Sequence, residues 1–255
     1  MKIMDSRRLS TKILSVILCA VMMLSATPLG VISAFVSSGT VPEGYTGIYD
    51  IEDLYLIRYN LEGNYILMAD IDMTEATAEG GEWDSGSGWA PIGETSSAPF
   101  KGIFDGNGHK ITGMRIKNSS VTYVGLFGYI NGGTVKNLRM VNSDIQDSSV
   151  HYAGTIAGFA YNTTIENIAV DNLKMNVIRD TFGGEHCFGG IVGYLTGSSS
   201  GGGSMISKSY VSGTITATGS FNYVGGIVGG GATNLYAKIT DCYNVAKITA
   251  IGEPS

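Results

Sequence analysis

Tyr123-Val124-Gly125-Leu126-Phe127-Gly128 returns as Tyr152-Ala153-Gly154-Thr155-Ile156-Ala157-Gly158, then as Phe188-Gly189-Gly190-Ile191-Val192-Gly193, and once more as Tyr223-Val224-Gly225-Gly226-Ile227-Val228-Gly229. The closing glycines Gly128, Gly158, Gly193 and Gly229 stand 30, 35 and 36 residues apart. A second block follows each copy: Thr134-Val135-Lys136-Asn137-Leu138, Thr164-Ile165-Glu166-Asn167-Ile168, Met205-Ile206-Ser207-Lys208-Ser209 and Lys238-Ile239-Thr240-Asp241-Cys242. A third piece closes the later units, Gly213-Thr214-Ile215-Thr216-Ala217 and Ala246-Lys247-Ile248-Thr249-Ala250. Four copies in one internal order make a repeat array. The second copy reads as carrying one extra residue, Ala157, before its last glycine.

Each unit offers short β-forming pieces separated by Gly, Asn, Ser or Thr, and none can bury its apolar side chains alone. Stacking the units places Leu126/Phe127, Ile156, Ile191/Val192 and Ile227/Val228 in one internal column. Strands about 4.8 Å apart then satisfy each other's backbone groups. The period suits one coil of a parallel β-helix. Propeller blades usually need about 40 residues or more and four clear strands, whereas two or three pieces are visible per unit here. The expected fold is therefore all-β, a parallel β-helix.

Upstream of the repeats, Ile51, Leu54, Ile57 and Leu61 recur at helical spacing, with Asp50 as N-cap. This predicts a short amphipathic helix over Asp50–Tyr59, placed to cover the open end of the solenoid. Tyr65-Ile66-Leu67-Met68 reads as a strand. Residues 74–99 read as a loop around Trp83 and Trp89, the aromatic pair expected to be exposed. Asp105-Gly106-Asn107-Gly108 is a strong turn former, and His109–Ile116 resumes strand alternation. The run Gly197–Ser204 lies inside the third unit and reads as a loop bulging from a corner, not as a linker.

Residues 1–34 read as an export signal. Lys2, Arg7, Arg8 and Lys12 precede the apolar run Ile13–Leu24, and Ile32-Ser33-Ala34 supplies a small residue for cleavage. The run has 12 residues, short of the roughly 20 that span a bilayer. The leader holds four of the chain's 16 basic residues and, in Asp5, one of its 22 acidic ones, so residues 35–255 carry 12 against 21, a formal charge of −9. That balance opposes nonspecific binding to nucleic acid or an anionic membrane. Cys187 and Cys242 fall in different repeat columns and are expected to be separate thiols, although export permits a disulfide. No Cys/His metal spacing is present.

The Gly125-Leu126-Phe127-Gly128 and Gly190-Ile191-Val192-Gly193 elements resemble the GLUG motif of bacterial secreted and cell-surface proteins. Tyr65–Met73, Trp89–Gly93 and Phe100–His109 resemble the lead-in common in such proteins, so the resemblance covers about residues 48 to 250. It implies a right-handed parallel β-helix with pectin-lyase-like architecture and a place on or outside the cell. The resulting plan is a signal peptide at 1–34, a flexible segment at 35–49, an N-terminal cap and first coils at 50–122, and GLUG-type repeats at 123–255, incomplete at the C-terminus.

Catalytic chemistry has few candidates. Glycoside hydrolysis needs two opposed carboxylates, and uronate elimination needs a base beside the sugar. Asp70, Asp72, Glu75, Glu79, Glu82 and Asp84 are the acidic candidates, with Asp70 and Asp72 expected to be solvated or turn-capping. Asp105–His109 lacks the spaced acidic ligands of a calcium loop. Tyr123, Tyr152 and Tyr223 are expected to form a rim-packed ladder. No catalytic, cofactor-binding or metal-binding residue is assigned, and no cofactor is expected. The expected function is a non-enzymatic scaffold or adhesion module contacting glycans or extracellular proteins, monomeric within a larger surface protein and not inserted in the membrane. A carbohydrate-active β-helix enzyme and a passive spacer are the alternatives.

Overall fold

The computed structural model describes residues 39–252 except 84–85, 118–120, 148–149, 180–184, 220–221 and 233–235. The proposed signal at 1–34 lies outside the described residues. Among the described residues all ladders between strands are parallel, and they build one 14-stranded sheet and two of four strands. The expected parallel β-solenoid is the observed fold.

The register shows why the sequence repeats. Phe104 pairs with Val135, Val135 with Ile165, Ile165 with Ile206, and Ile206 with Ile239. Ile116, Ile145, Met175, Ile215 and Ile248 form a second inward column. Phe127, Ala157, Val192 and Val228 form a third. In the inner coils these side chains are wholly buried, each contributing about 1.5–3 kcal/mol relative to exposure. In the last coil the column members Ile239 and Ile248 remain 47% and 40% exposed.

Corners between strands fall where the chain takes a left-handed conformation. Asn137, Asn167, Lys208 and Asp241 occupy one such column, with φ of 55°, 55°, 50° and 54°. Asn tolerates this region because its short amide bonds locally. Here the amides also join the coils: Asn167 Nδ2 donates to Asn137 Oδ1 (2.9 Å), and Asn137 Nδ2 donates to Asp105 Oδ1 (3.0 Å). Asn172 and Asn142 repeat the arrangement one corner further on, at 2.8 Å.

Several expectations change. The helix is Ile51–Leu56, followed by a 3-10 turn at Ile57–Tyr59. Asp50 caps it by accepting from Asp53 N at 3.0 Å, and Leu54 and Ile57 are fully buried. The segment expected to be flexible contains a strand, Thr46–Ile48, held against Tyr65–Leu67 and anchored by Ile48, which is 1% exposed. The third β piece is not confined to the later units: Asp144–Asp147 pairs with both Arg115–Lys117 and Lys174–Val177.

Ala157 is not an insertion. Tyr152 pairs with Cys187, and Ala157 with Val192, without a break. Cys187 pairs with Tyr223, and Val192 with Val228. Later coils therefore share a seven-residue element, and it is the first copy that is one residue shorter between Tyr123 and Gly128. Cys187 consequently stands in the tyrosine column.

Candidate functional site

Each repeated element turns a corner between two short strands. In the first coil these are Tyr123–Val124 and Phe127–Asn131; in the second, Tyr152–Gly154 and Ala157–Tyr161. Period-two alternation sends Val124, Ala153 and Phe188 inward, leaving Tyr123, Tyr152, Cys187 and Tyr223 on the opposite side. The same alternation in the second strand buries Ile130, Ala160 and Leu195 and turns out Tyr129, Phe159 and Tyr194.

Glycine lets these two outward rows meet. A Cβ on Gly158 would lie 2.6 Å from Val124 N, and one on Gly193 would lie 2.7 Å from Ala153 N. The backbones thus approach more closely than any side chain allows. Tyr123 and Tyr152 stack at 5.6 Å. Tyr129, Phe159 and Tyr194 stack at successive centroid spacings of 4.6 and 4.9 Å. Edge-to-face contacts join the rows: Tyr123–Tyr129 at 5.2 Å, Tyr152–Phe159 at 5.6 Å and Tyr152–Tyr194 at 5.4 Å. Such pairs contribute about 0.5–1.5 kcal/mol each beyond area burial.

The five rings are half-buried. Of the ladder expected from Tyr123, Tyr152 and Tyr223, only Tyr123 and Tyr152 stack, because Cys187 occupies the next place in the row and Tyr223 is exposed. Burial pushes the Tyr152 phenol up to about 12, with smaller contributions from nearby ionisable groups. Burial also raises Tyr129 and Tyr194. The row of Tyr129, Phe159 and Tyr194 went unrecognised in the sequence, although an aromatic immediately after the closing glycine recurs in three units.

Other candidates resolve into structure. Asp70 accepts from Lys110 N at 3.2 Å and contacts His109 Nδ1 at 3.1 Å; the Lys110 N–H is the first cause of its lowered pKa. Asp72 accepts from Thr74 N at 2.9 Å, and bonding from Thr74 holds its carboxyl down. Both cap turns. Glu75, Glu79 and Glu82 are exposed, and Asp84 lies outside the described residues. Asp105–His109 is a tight turn in which Asp105 Oδ1 accepts from Asn107 N at 2.9 Å.

The expected exposed tryptophan pair does not form. Trp89 is 1% exposed, and its indole N–H donates to Leu126 O at 3.2 Å. Trp83 is half-buried against Tyr55, with centroids 4.3 Å apart. Arg58 lies over Tyr55 at 3.8 Å and over Trp89 at 5.2 Å. These large apolar rings seal the N-terminal end, which the composition of the surrounding loop concealed.

Cys187 and Cys242 are both free thiols. Burial, reinforced by Glu185, pushes Cys187 up to about 12, which leaves it a neutral packing group. Among the described residues no three His, Cys, Asp or Glu side chains converge as metal ligands.

On a neighbouring face, Arg139 Nε meets Asp171 at 2.6 Å, Tyr210 donates its hydroxyl to the same carboxylate at 2.8 Å, and Lys208 meets Glu166 at 2.8 Å. These partly exposed pairs link adjacent coils.

No family model matches the chain. It is 32% identical over 133 residues to halomucin of Haloquadratum walsbyi, a match spanning 52% of this chain and 1% of that protein. It is 34% identical over 110 residues to a protein of Evansella cellulosilytica provisionally named a Gly-rich membrane protein, spanning 42% of this chain and 12% of that one. The chain thus matches only a small part of either relative. Among solved structures, a Bacteroides ovatus protein provisionally named an immunoglobulin A1 protease aligns over 79% of this chain and 76% of its own, at 17% identity and a TM-score of 0.44. A second, named IgA1 protease, aligns over 80% of this chain and 17% of its own, at 19% identity and a TM-score of 0.46. The expectation of a non-enzymatic chain is not upheld, since both neighbours are named as proteases; the alignments assign no activity and no catalytic residue to this chain.

Proposed function

We propose that this chain is part of an exported, surface-associated β-solenoid of the GLUG type, and that its outer aromatic face contacts glycan or protein. The observation that carries the reading is the double row formed by Tyr123, Tyr152, Tyr129, Phe159 and Tyr194. An interior needs no such arrangement on its outer side, and neutral rings with hydroxyl tips suit partners that are part apolar and part polar. The names of the two relatives, a halomucin and a membrane protein, support a surface setting. So do the leader-like first 34 residues and the glycine-rich repeats.

The test is retention of the purified chain on an array of glycans and extracellular-matrix proteins, with released sugar and cleaved protein assayed in the same wells. Saturable retention that falls at least tenfold in Tyr123→Ala/Phe159→Ala, with folding intact by circular dichroism, is the expected result. Product in the wells would move the reading to catalysis. Neither retention nor product would leave a spacer.

A further inference from the structure

The two aromatic rows do not run to the same coil. The outer ring row is Tyr129, Phe159 and Tyr194, and the residue paired with Tyr194 in the next coil is Gly230. The tyrosine row is Tyr123, Tyr152, Cys187 and Tyr223. The third coil therefore has a ring only in the second row, and the fourth only in the first.

This mismatch creates a step of ring size. The stacked row advances by 4.6 and then 4.9 Å with its planes within 14° and 16°. One further step, about 4.8 Å in a parallel ladder, places a ring above the outer face of Tyr194 and over Gly230. In the first two coils the tyrosine meets the ring of its own coil edge to face, at 5.2 and 5.6 Å. Tyr223 has no such ring in its own coil and is 52% exposed. The step thus has a flat aromatic floor, an aromatic side wall and, at Gly230, side-chain-free backbone with Cys187 Sγ beside it.

We infer that this step binds one neutral pyranose residue of a glycan, stacked on Tyr194 with its edge against Tyr223. This rests on the proposed reading of the outer face as a contact surface and names its ligand class. A pyranose presents an apolar C–H face to an aromatic ring and keeps a belt of hydroxyls for water. That suits a step open to solvent, where a wholly apolar ring would gain less from partial burial. Glu185 lies immediately before the strand His186–Gly189 and is exposed, close enough that its charge acts on both Cys187 and Tyr194. A carboxylate accepts hydrogen bonds from sugar hydroxyls and repels an acidic sugar. The formal charge of −9 over residues 35–255 adds to that repulsion.

The protein can fill the step with its own ring. A Cβ on Gly230 would lie 2.5 Å from Cys187 Sγ, so Gly230→Tyr must be combined with Cys187→Ala, which removes the obstructing sulfur. Calorimetric titration would use cellohexaose, mannohexaose and chitohexaose as neutral probes and a hexagalacturonate as the acidic one. The purified chain, Tyr194→Ala, Cys187→Ala and Cys187→Ala/Gly230→Tyr would be compared.

At least one neutral probe should bind the unmodified chain and Cys187→Ala. Its affinity should fall tenfold or more in Tyr194→Ala and in the double variant, with hexagalacturonate at least tenfold weaker than the neutral probe. The double variant should retain its melting temperature, which separates loss of the site from loss of the fold. A neutral probe bound equally by the double variant would place the glycan elsewhere, overturning this site while sparing the general reading. Tighter binding of hexagalacturonate, or no binding of any neutral probe, would overturn the inference. In the latter case retention on matrix proteins would still decide the broader proposal.

Discussion

Gly193 sits inside the strand Val192–Thr196 with an ordinary φ, so conformational freedom does not explain it. A Cβ there would lie 2.6 Å from Gly158 O, 2.7 Å from Ala153 N and 2.8 Å from Cys187 O. All three are backbone atoms that cannot swing away. Gly193→Val should therefore cost more than about 2 kcal/mol, toward the upper range for overpacking. Urea denaturation measures it, and a loss below about 0.5 kcal/mol would remove the close-approach argument. The repeat makes these glycines visible in the sequence, and close approach of neighbouring coils is what they serve. Further corners belong to Asn137 and Asn167, whose left-handed φ is hidden because both lie in blocks that read as plain strand.

At the scale of an element, the N-terminal helix is six residues long, too short to be stable by itself. It persists because Leu54 and Ile57 are fully buried and Asp50 satisfies the Asp53 N–H. Asp50→Ala should lower global stability by about 1 kcal/mol, and Asp50→Ser by less than about half that. Equal losses in chemical denaturation would show that the cap bond is not what matters. The helix and its cap were readable because spacing and cap residue agree. The aromatic rows were readable only in part: Tyr123, Tyr152 and Tyr223 open their units, whereas Tyr129, Phe159 and Tyr194 fall in a strand whose register depends on the coil below. Cys187 is hidden from the tyrosine row because the first copy is one residue shorter than the later ones, which offsets the repeat. Trp89 misled because burial depends on a contact with Leu126, 37 residues away.

Across the whole solenoid, each coil contacts only its neighbours, so protection should follow position along the stack. Ile206 and Ile215 are fully buried, while their partners Ile239 and Ile248 are 47% and 40% exposed. Backbone amides of Ala237–Ile251 should exchange at least about 100-fold faster than those of Thr164–Val177. Hydrogen exchange read by mass spectrometry tests this, and uniform protection would mean that the solenoid opens as one unit. The general fold was the most readable level, because a period of 30 to 36 residues states the coil directly. The proposed ligand was the least readable, since it depends on which rows of rings end where.

The parallel ladders carry a mechanical consequence. Every strand lies across the stacking direction, so tension between the two ends would load the ladder bonds of one coil at a time. A freed coil of 30 to 36 residues would pay out roughly 100–130 Å of chain, while the coils behind it stayed folded. Under shear, such a stack would extend in steps and absorb a jolt before passing the load on.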